Sequence, residues 1–224
     1  MTTGGGPLRR QLAVELATLA ALAAVYLALL PRRPPGLDPA MALLGLALVG
    51  LGARRTRERI WGPPAAPPAE RRRRAARAMT GLTAAALVGL AVYATWPALA
   101  TGAGVDEAVR RLAAPRLLAA LPVYVPWALV QQALFQFYLL GRLRALLPGA
   151  PLMVLATLNG LAFGAVHWPD REVAVLTALG GVAWSYRYHH DRLLVPLALS
   201  HAVLGTAFYG WVRNTDPLGV LLGR

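Results

Sequence analysis

Apolar segments recur along this chain at about 11–30, 38–53, 79–100, 118–140, 149–167, 174–186 and 193–212. Inside hydrocarbon no water is present to satisfy backbone N–H and C=O groups, so a segment of this kind must satisfy its own, as a helix does. About 20 residues at 1.5 Å per residue cross the apolar core of a bilayer. Most of these segments approach that length; the sixth is the shortest, at roughly 20 Å. With 57% hydrophobic residues and a mean hydropathy of +0.49, the chain has too little polar surface for a water-soluble domain. The expectation is an all-α, polytopic membrane helix bundle of about seven transmembrane helices, forming a single membrane domain over residues 1–224. The first segment follows Arg9 and Arg10 like a signal peptide. Its length and the want of a small-residue cleavage site read instead as an uncleaved helix, with Glu15 near the interface.

The net charge of +13 resides entirely in arginine, since the chain contains no lysine, a bias we read as that of a GC-rich genome. Nine arginines (Arg54, Arg55, Arg57, Arg59, Arg71, Arg72, Arg73, Arg74 and Arg77) fall in the inter-helix stretch 54–78. A short basic loop between apolar spans is the signature of the cytoplasmic side. The N-terminus and loop 54–78 are therefore expected in the cytoplasm, and the protein in a bacterial inner (plasma) membrane as a multi-pass chain. Loops 141–148 and 187–192 then also face inward, in keeping with their arginines. The basic stretch lacks interleaved aromatics apart from Trp61, so membrane lipids are the expected partner of this charge and nucleic acid is not. GPPAAPP at 62–68 reads as a stiff linker. With no cysteine, disulfides and thiolate metal sites are excluded.

Three polar stations interrupt the apolar segments: Gln131, Gln132 and Gln136; then His167; then His201. Polar side chains persist in hydrocarbon where they face one another, a cavity or the interior of a bundle. Gln132 and Gln136 are four residues apart and share a helix face, with Gln131 a step around. Rise along the helices brings His167 and His201 to within about 6 Å of the same depth. The glutamines read either as interhelical glue or as substrate-facing groups.

These residues resemble the motifs of the CPBP (CAAX protease and bacteriocin-processing) intramembrane proteases, which include the type II CAAX prenyl endopeptidases. Gln131-Gln132-Ala133-Leu134-Phe135-Gln136 stands where that family has EExxxR. Phe163-Gly164-Ala165-Val166-His167 is FxxxH intact, with Pro169 close behind, and His201-Ala202-Val203-Leu204-Gly205 is HxxxN with glycine in the last position. The resemblance covers 118–212 as a CPBP-like core, with the helices of 11–100 preceding it. It implies membrane-presented polypeptide substrates cleaved near a lipidated or hydrophobic terminus, and catalytic positions at Gln131, Gln132, Gln136, His167 and His201. In the family a glutamate activates the attacking water; a glutamine amide has no usable basic site. Two acids and their cation are replaced together, which leaves a neutral station. A histidine base remains available at His167 or His201, with Asp170 and Glu172 nearby to orient a ring, and Thr206 stands beside the missing asparagine. Two histidines fall short of the three ligands that zinc usually takes, so no metal or other cofactor is expected; the one metal position the motifs offer lies between His167 and His201. The expected function is thus that of a divergent intramembrane endopeptidase homologue acting on or binding membrane-presented polypeptide termini. The rival is a non-catalytic membrane scaffold or chaperone for partner helices.

Overall fold

The computed structural model describes residues 5–32, 34, 36–56, 69–101, 105–113, 116–168 and 170–221. Arg57, Arg59, Trp61, the GPPAAPP linker and Pro169 lie outside the described residues.

Every regular element described is helical. Helix α1 spans Gly5–Leu29 and stops where Pro31 and Pro34 deny the backbone further donors. Helix α2 spans Leu37–Thr56, and the Tyr26 hydroxyl donates to Asp38 Oδ1 in its first turn at 3.2 Å. Helix α3 spans Ala69–Ala100, 32 residues or about 48 Å, and α4 spans Val105–Leu112. One continuous helical run follows: α5 (Arg116–Gln132), a π-helical segment (Ala133–Leu139) and α6 (Leu140–Leu146). Helices α7 (Leu152–Ala165) and α8 (Arg171–Asp191) form a hairpin. Helix α9 (Leu194–Ala207) passes into a second π-helical segment (Phe208–Val212), and α10 (Pro217–Leu221) closes the described chain.

Among the described residues, five helical stretches are long and apolar enough to cross a membrane: Arg9–Leu29, Leu37–Arg54, Ala69–Ala100, Leu117–Leu146 and Leu194–Val212. Helix α7 is apolar but has only 14 residues. Helix α8 has 21, with Arg187, His189, His190 and Asp191 crowded into its last turns.

Four of the segments between the apolar stretches carry helix among the described residues. The arginines from Arg71 to Arg77 stand exposed on the first turns of α3, where Ala, Glu and Arg are good helix formers. The segment 101–116 contains α4, opened by Asp106 and Glu107, acids that suit a helix N-terminus. Helices α6 and α8 run on through most of 141–148 and 187–192, because nothing in GRLRAL or RYHHD breaks a helix.

The chain divides into two compact units, each drawn from two stretches of sequence: residues 1–66 with 130–194, and residues 67–129 with 195–224. The first unit is organised around the α7–α8 hairpin. Gly160 and Gly181 face each other so closely that a Cβ on Gly160 would lie 2.6 Å from the Ala178 carbonyl oxygen and 2.8 Å from the Val182 nitrogen. Both obstacles are backbone, so only glycine permits this approach. Asp170 caps α8, its Oδ1 accepting from the Val173 N–H at 3.2 Å. Helix α1 packs on α2 and α6, and the π-helical segment 133–139 packs on α2, α7 and α8. In the second unit α3 packs on α4 and on the segment 208–212, and the Trp211 indole N–H donates to the Leu112 carbonyl at 3.1 Å. Its apolar centre joins Tyr124, Ala128, Ala198 and Ala202.

Candidate functional site

In the first unit Gln132 and Gln136 are fully buried, and Gln131 is half-buried. Gln136 is the hub of a neutral network that spans three helices. Its Oε1 accepts from Asn159 Nδ2 at 3.1 Å and from the Ser185 hydroxyl at 2.8 Å. The second Asn159 N–H donates to Ser185 Oγ at 2.8 Å. The Ser185 proton also has the Gly181 carbonyl within 2.6 Å, so it serves one of two acceptors at a time. Asn159 and Ser185 are themselves fully buried. Gln136 Nε2, Asn159 Oδ1 and Gln131 Oε1 are buried without a hydrogen bond among the described residues.

Asn159, Phe163 and His167 recur every fourth residue along α7 and the turn beyond it, and so share one face. Phe163 stacks on Phe135 with ring centroids 4.5 Å apart, and His167 meets Phe163 edge-on at 5.4 Å. Gln136 bonds one turn before Phe163, so the π-helical segment runs antiparallel to α7. That register carries Gln132 toward the His167 end, while Phe163 and its aromatic neighbours separate Gln136 from His167. Local π-helix is a recurrent feature of functional sites in helical proteins, because one extra residue per turn re-aims the side chains.

His167 is half-buried, and its Nδ1 lies 2.9 Å from the Phe163 carbonyl oxygen. A carbonyl only accepts, so Nδ1 carries the proton and the neutral ring keeps its lone pair on Nε2. Thr177 Oγ1 lies 3.4 Å from Nδ1 and donates its own proton to the Val173 carbonyl at 2.7 Å, bracing the ring from α8. Asp170 serves as the helix cap, and its N–H donates to the His167 carbonyl at 3.1 Å.

A second polar station in the same unit is charged. Glu15, read from its position in the first span as lying near the interface, is buried within the protein. Arg142 Nε donates to Glu15 Oε2 at 2.9 Å, the Tyr138 hydroxyl to the same oxygen at 3.2 Å, and Gln11 to Oε1 at 3.0 Å. The Arg142 guanidinium also lies 4.4 Å from the Tyr138 ring centre. Gly52 makes room, for a Cβ there would sit 2.5 Å from both Arg142 Nη2 and Tyr138 Cε2. Arg142, expected in an inner loop, is a buried residue of α6.

His201 belongs to the second unit, where it is buried beside Tyr124, rings edge-on at 6.1 Å. A Cβ on Gly205 would lie 2.5 Å from the Tyr124 hydroxyl oxygen. The tyrosine thus fills the space where an HxxxN asparagine would begin. Thr206 does not replace that asparagine as a donor, since its hydroxyl donates within its own helix, to the Ala202 and Val203 carbonyls at 2.9 and 3.0 Å. Ser200, next to His201, has its hydroxyl 2.8 Å from that of Thr83.

Residues 112–207 match the family model for Type II CAAX prenyl endopeptidase Rce1-like proteins. The matched segment holds all three motif positions, and it makes up less than half of the 224 residues. The resemblance read from the motifs is thereby shown for this part of the chain. No curated protein and no solved structure matches the chain.

Among the described residues, no three His, Cys, Asp or Glu side chains are grouped so as to hold a metal ion. Asn159, Ser185, Tyr124 and the Glu15–Arg142 pair escaped the motif reading. Asn159 and Glu15 had a visible signal, a polar residue inside an apolar segment. Ser185 and Tyr124 had none, because both residue types are ordinary in membrane helices.

Proposed function

We propose that this protein is a divergent homologue of the type II CAAX prenyl endopeptidases that binds membrane-presented polypeptide termini and does not hydrolyse them by the glutamate route. The observation that carries this reading is the Gln136–Asn159–Ser185 network: a neutral, hydrogen-bonded hub at the motif position where the family carries an arginine paired with acids. A neutral amide neither takes a proton from water near neutral pH nor forms an ion pair with a carboxylate. The reading includes one membrane domain crossing the bilayer about seven times, with α7 and α8 supplying the two spans beyond the five long apolar stretches. It also takes Gln132, His167 and His201 as the residues at the family's motif positions that serve this activity. Orientation follows the arginines: N-terminus and residues 54–78 on the cytoplasmic side of a bacterial inner membrane.

A specific observation favours a second reading, hydrolysis with His167 as base. The Nδ1–H bond to Phe163 leaves Nε2 free to accept a proton. Cleavage of a membrane-anchored reporter peptide separates the two, assayed for wild type, His167→Ala and the triple variant Gln131→Glu/Gln132→Glu/Gln136→Arg. The expected result is a silent wild type and a gain of about 10²–10⁴-fold in the triple variant, the usual worth of a general base. Robust wild-type cleavage lost in His167→Ala would establish the histidine route instead. Photocrosslinking of a lipidated peptide to wild type supports the binding reading. Its absence in a folded, inserted protein favours the scaffold or chaperone rival.

A further inference from the structure

We propose that the last turn of α6 and the C-terminal end of α8 form a binding site for the phosphate of an anionic lipid headgroup, built on Arg144, His189 and Arg192. The inference is independent of the polypeptide-binding reading. The α7–α8 hairpin returns the end of α8 to the level at which α7 begins, and only residues 147–151 separate α7 from α6. Residues 144 and 187–192 therefore meet: Arg144 Nη1 lies 3.0 Å from His189 Nδ1. A guanidinium only donates, so Nδ1 accepts and this imidazole is neutral, with its remaining N–H on Nε2.

The balance of charge at this end is positive. Asp191 is the one acid in 187–192, and Arg187 takes it in an ion pair; residues 141–146 contain no acid. Arg192 stands in the left-handed region at φ 56°, which closes α8 and sets its guanidinium 5.1 Å from the Tyr188 ring centre. His190 adds its ring edge-on to His189 at 5.1 Å. The carbonyl end of α8 offsets part of this charge, and its last carbonyls accept hydrogen bonds; a phosphate adds two or three anionic oxygens that guanidinium and imidazole donors can engage together.

The position suits a lipid rather than a soluble anion. Leu146 ends one membrane-length apolar stretch and Leu194 opens the next, so the cluster falls where two spans reach the headgroup layer. Leu147 and Tyr186 are exposed beside it, apolar and amphipathic neighbours for the glycerol and acyl region. Burial first, then Arg144, His190 and Arg192, hold the His189 pKa below its ordinary value. Those three are the charged or titratable groups that act on it, and the Arg187–Asp191 pair lies two residues to either side. An anion between Arg144 and His189 favours the imidazolium, so binding takes up a proton and strengthens as pH falls toward 6.

The test is native mass spectrometry of the full chain in neutral detergent, titrated with phosphatidylglycerol or phosphatidylcholine of matched acyl chains. We expect about tenfold preferential retention of phosphatidylglycerol, on the basis of the surface attraction of basic side chains for anionic lipid. The preference should be larger at pH 6 than at pH 8, and His189→Asn should flatten that difference. Arg144→Gln/Arg192→Gln should abolish the preference, while Arg144→Lys/Arg192→Lys, which keeps the charge, should retain most of it. Equal retention of the two lipids overturns the proposal, as does a glutamine variant that still discriminates with unchanged thermal unfolding. Displacement of phosphatidylglycerol by millimolar inorganic phosphate overturns the lipid assignment in favour of a soluble anion.

Discussion

Gln136 and Arg142 lie six residues apart on one helical run, both buried, and they meet the absence of water in opposite ways. Gln136 recruits Asn159 and Ser185 into a neutral network that leaves a donor and an acceptor unused. Arg142 recruits Glu15, 127 residues away, into an ion pair buttressed by Tyr138 and Gln11. A neutral network loses little when one member goes, because each hydrogen bond contributes about 0.5–1.5 kcal/mol net. An ion pair that loses one member leaves a buried charge behind, which costs about 3–5 kcal/mol. The comparison also bears on the site. The unit retains the means to bury a charged pair, yet the motif positions hold amides.

The sharpest way to break this contrast is Glu15→Ala or Arg142→Ala. Each should destabilise the folded protein by about 3–5 kcal/mol in chemical unfolding in detergent, whereas Glu15→Leu/Arg142→Met should recover most of the loss. A double variant no better than either single would mean that the charges are not what the singles remove.

Next in size is Gly160→Ala. Its new methyl would press on the Ala178 and Val182 backbone, which cannot rotate away, at a cost of about 1–3 kcal/mol. Gly205→Ala, where the obstacle is the far end of Tyr124, should cost less, and Tyr124→Leu should relieve it. Equal melting losses at the two glycines would show that α7 and α8 have room to separate.

The smallest effects belong to the network. Asn159→Ala and Ser185→Ala should each cost about 0.5–1.5 kcal/mol, and the double variant less than their sum, since they share Gln136 Oε1. Losses there as large as those at Glu15 would erase the distinction between the two stations.

Much of the fold was legible in the chain. Apolar stretches announced the helices, and the segments read as spans one, two, four and seven each fall on a described helical stretch, with ends that differ by up to six residues. The ends were less legible. RRRRAAR and RYHHD read as loops on charge, yet neither contains proline or glycine, and both continue as helix. At the site, ordered motifs located Gln136 and His167 and gave the family resemblance. The part played by Asn159 came only with the packing of α7 against its neighbours, whereas the tautomer of His167 is fixed locally by the Phe163 carbonyl four residues back.

By itself the sequence determined that this chain is helical and built for a membrane, and that the family's acids and arginine are absent from residues 131, 132 and 136. These are local properties: a helix satisfies its own backbone, and a residue type is read directly. Tertiary structure decided which polar group meets which. Hydrogen bonds and ion pairs reach only about 3 Å, so Asn159 finds Ser185 because Gly160 and Gly181 let two helices close up, and Arg142 finds Glu15 because Gly52 leaves space for it. No period or motif spacing encodes those meetings, since each depends on how separate helices pack.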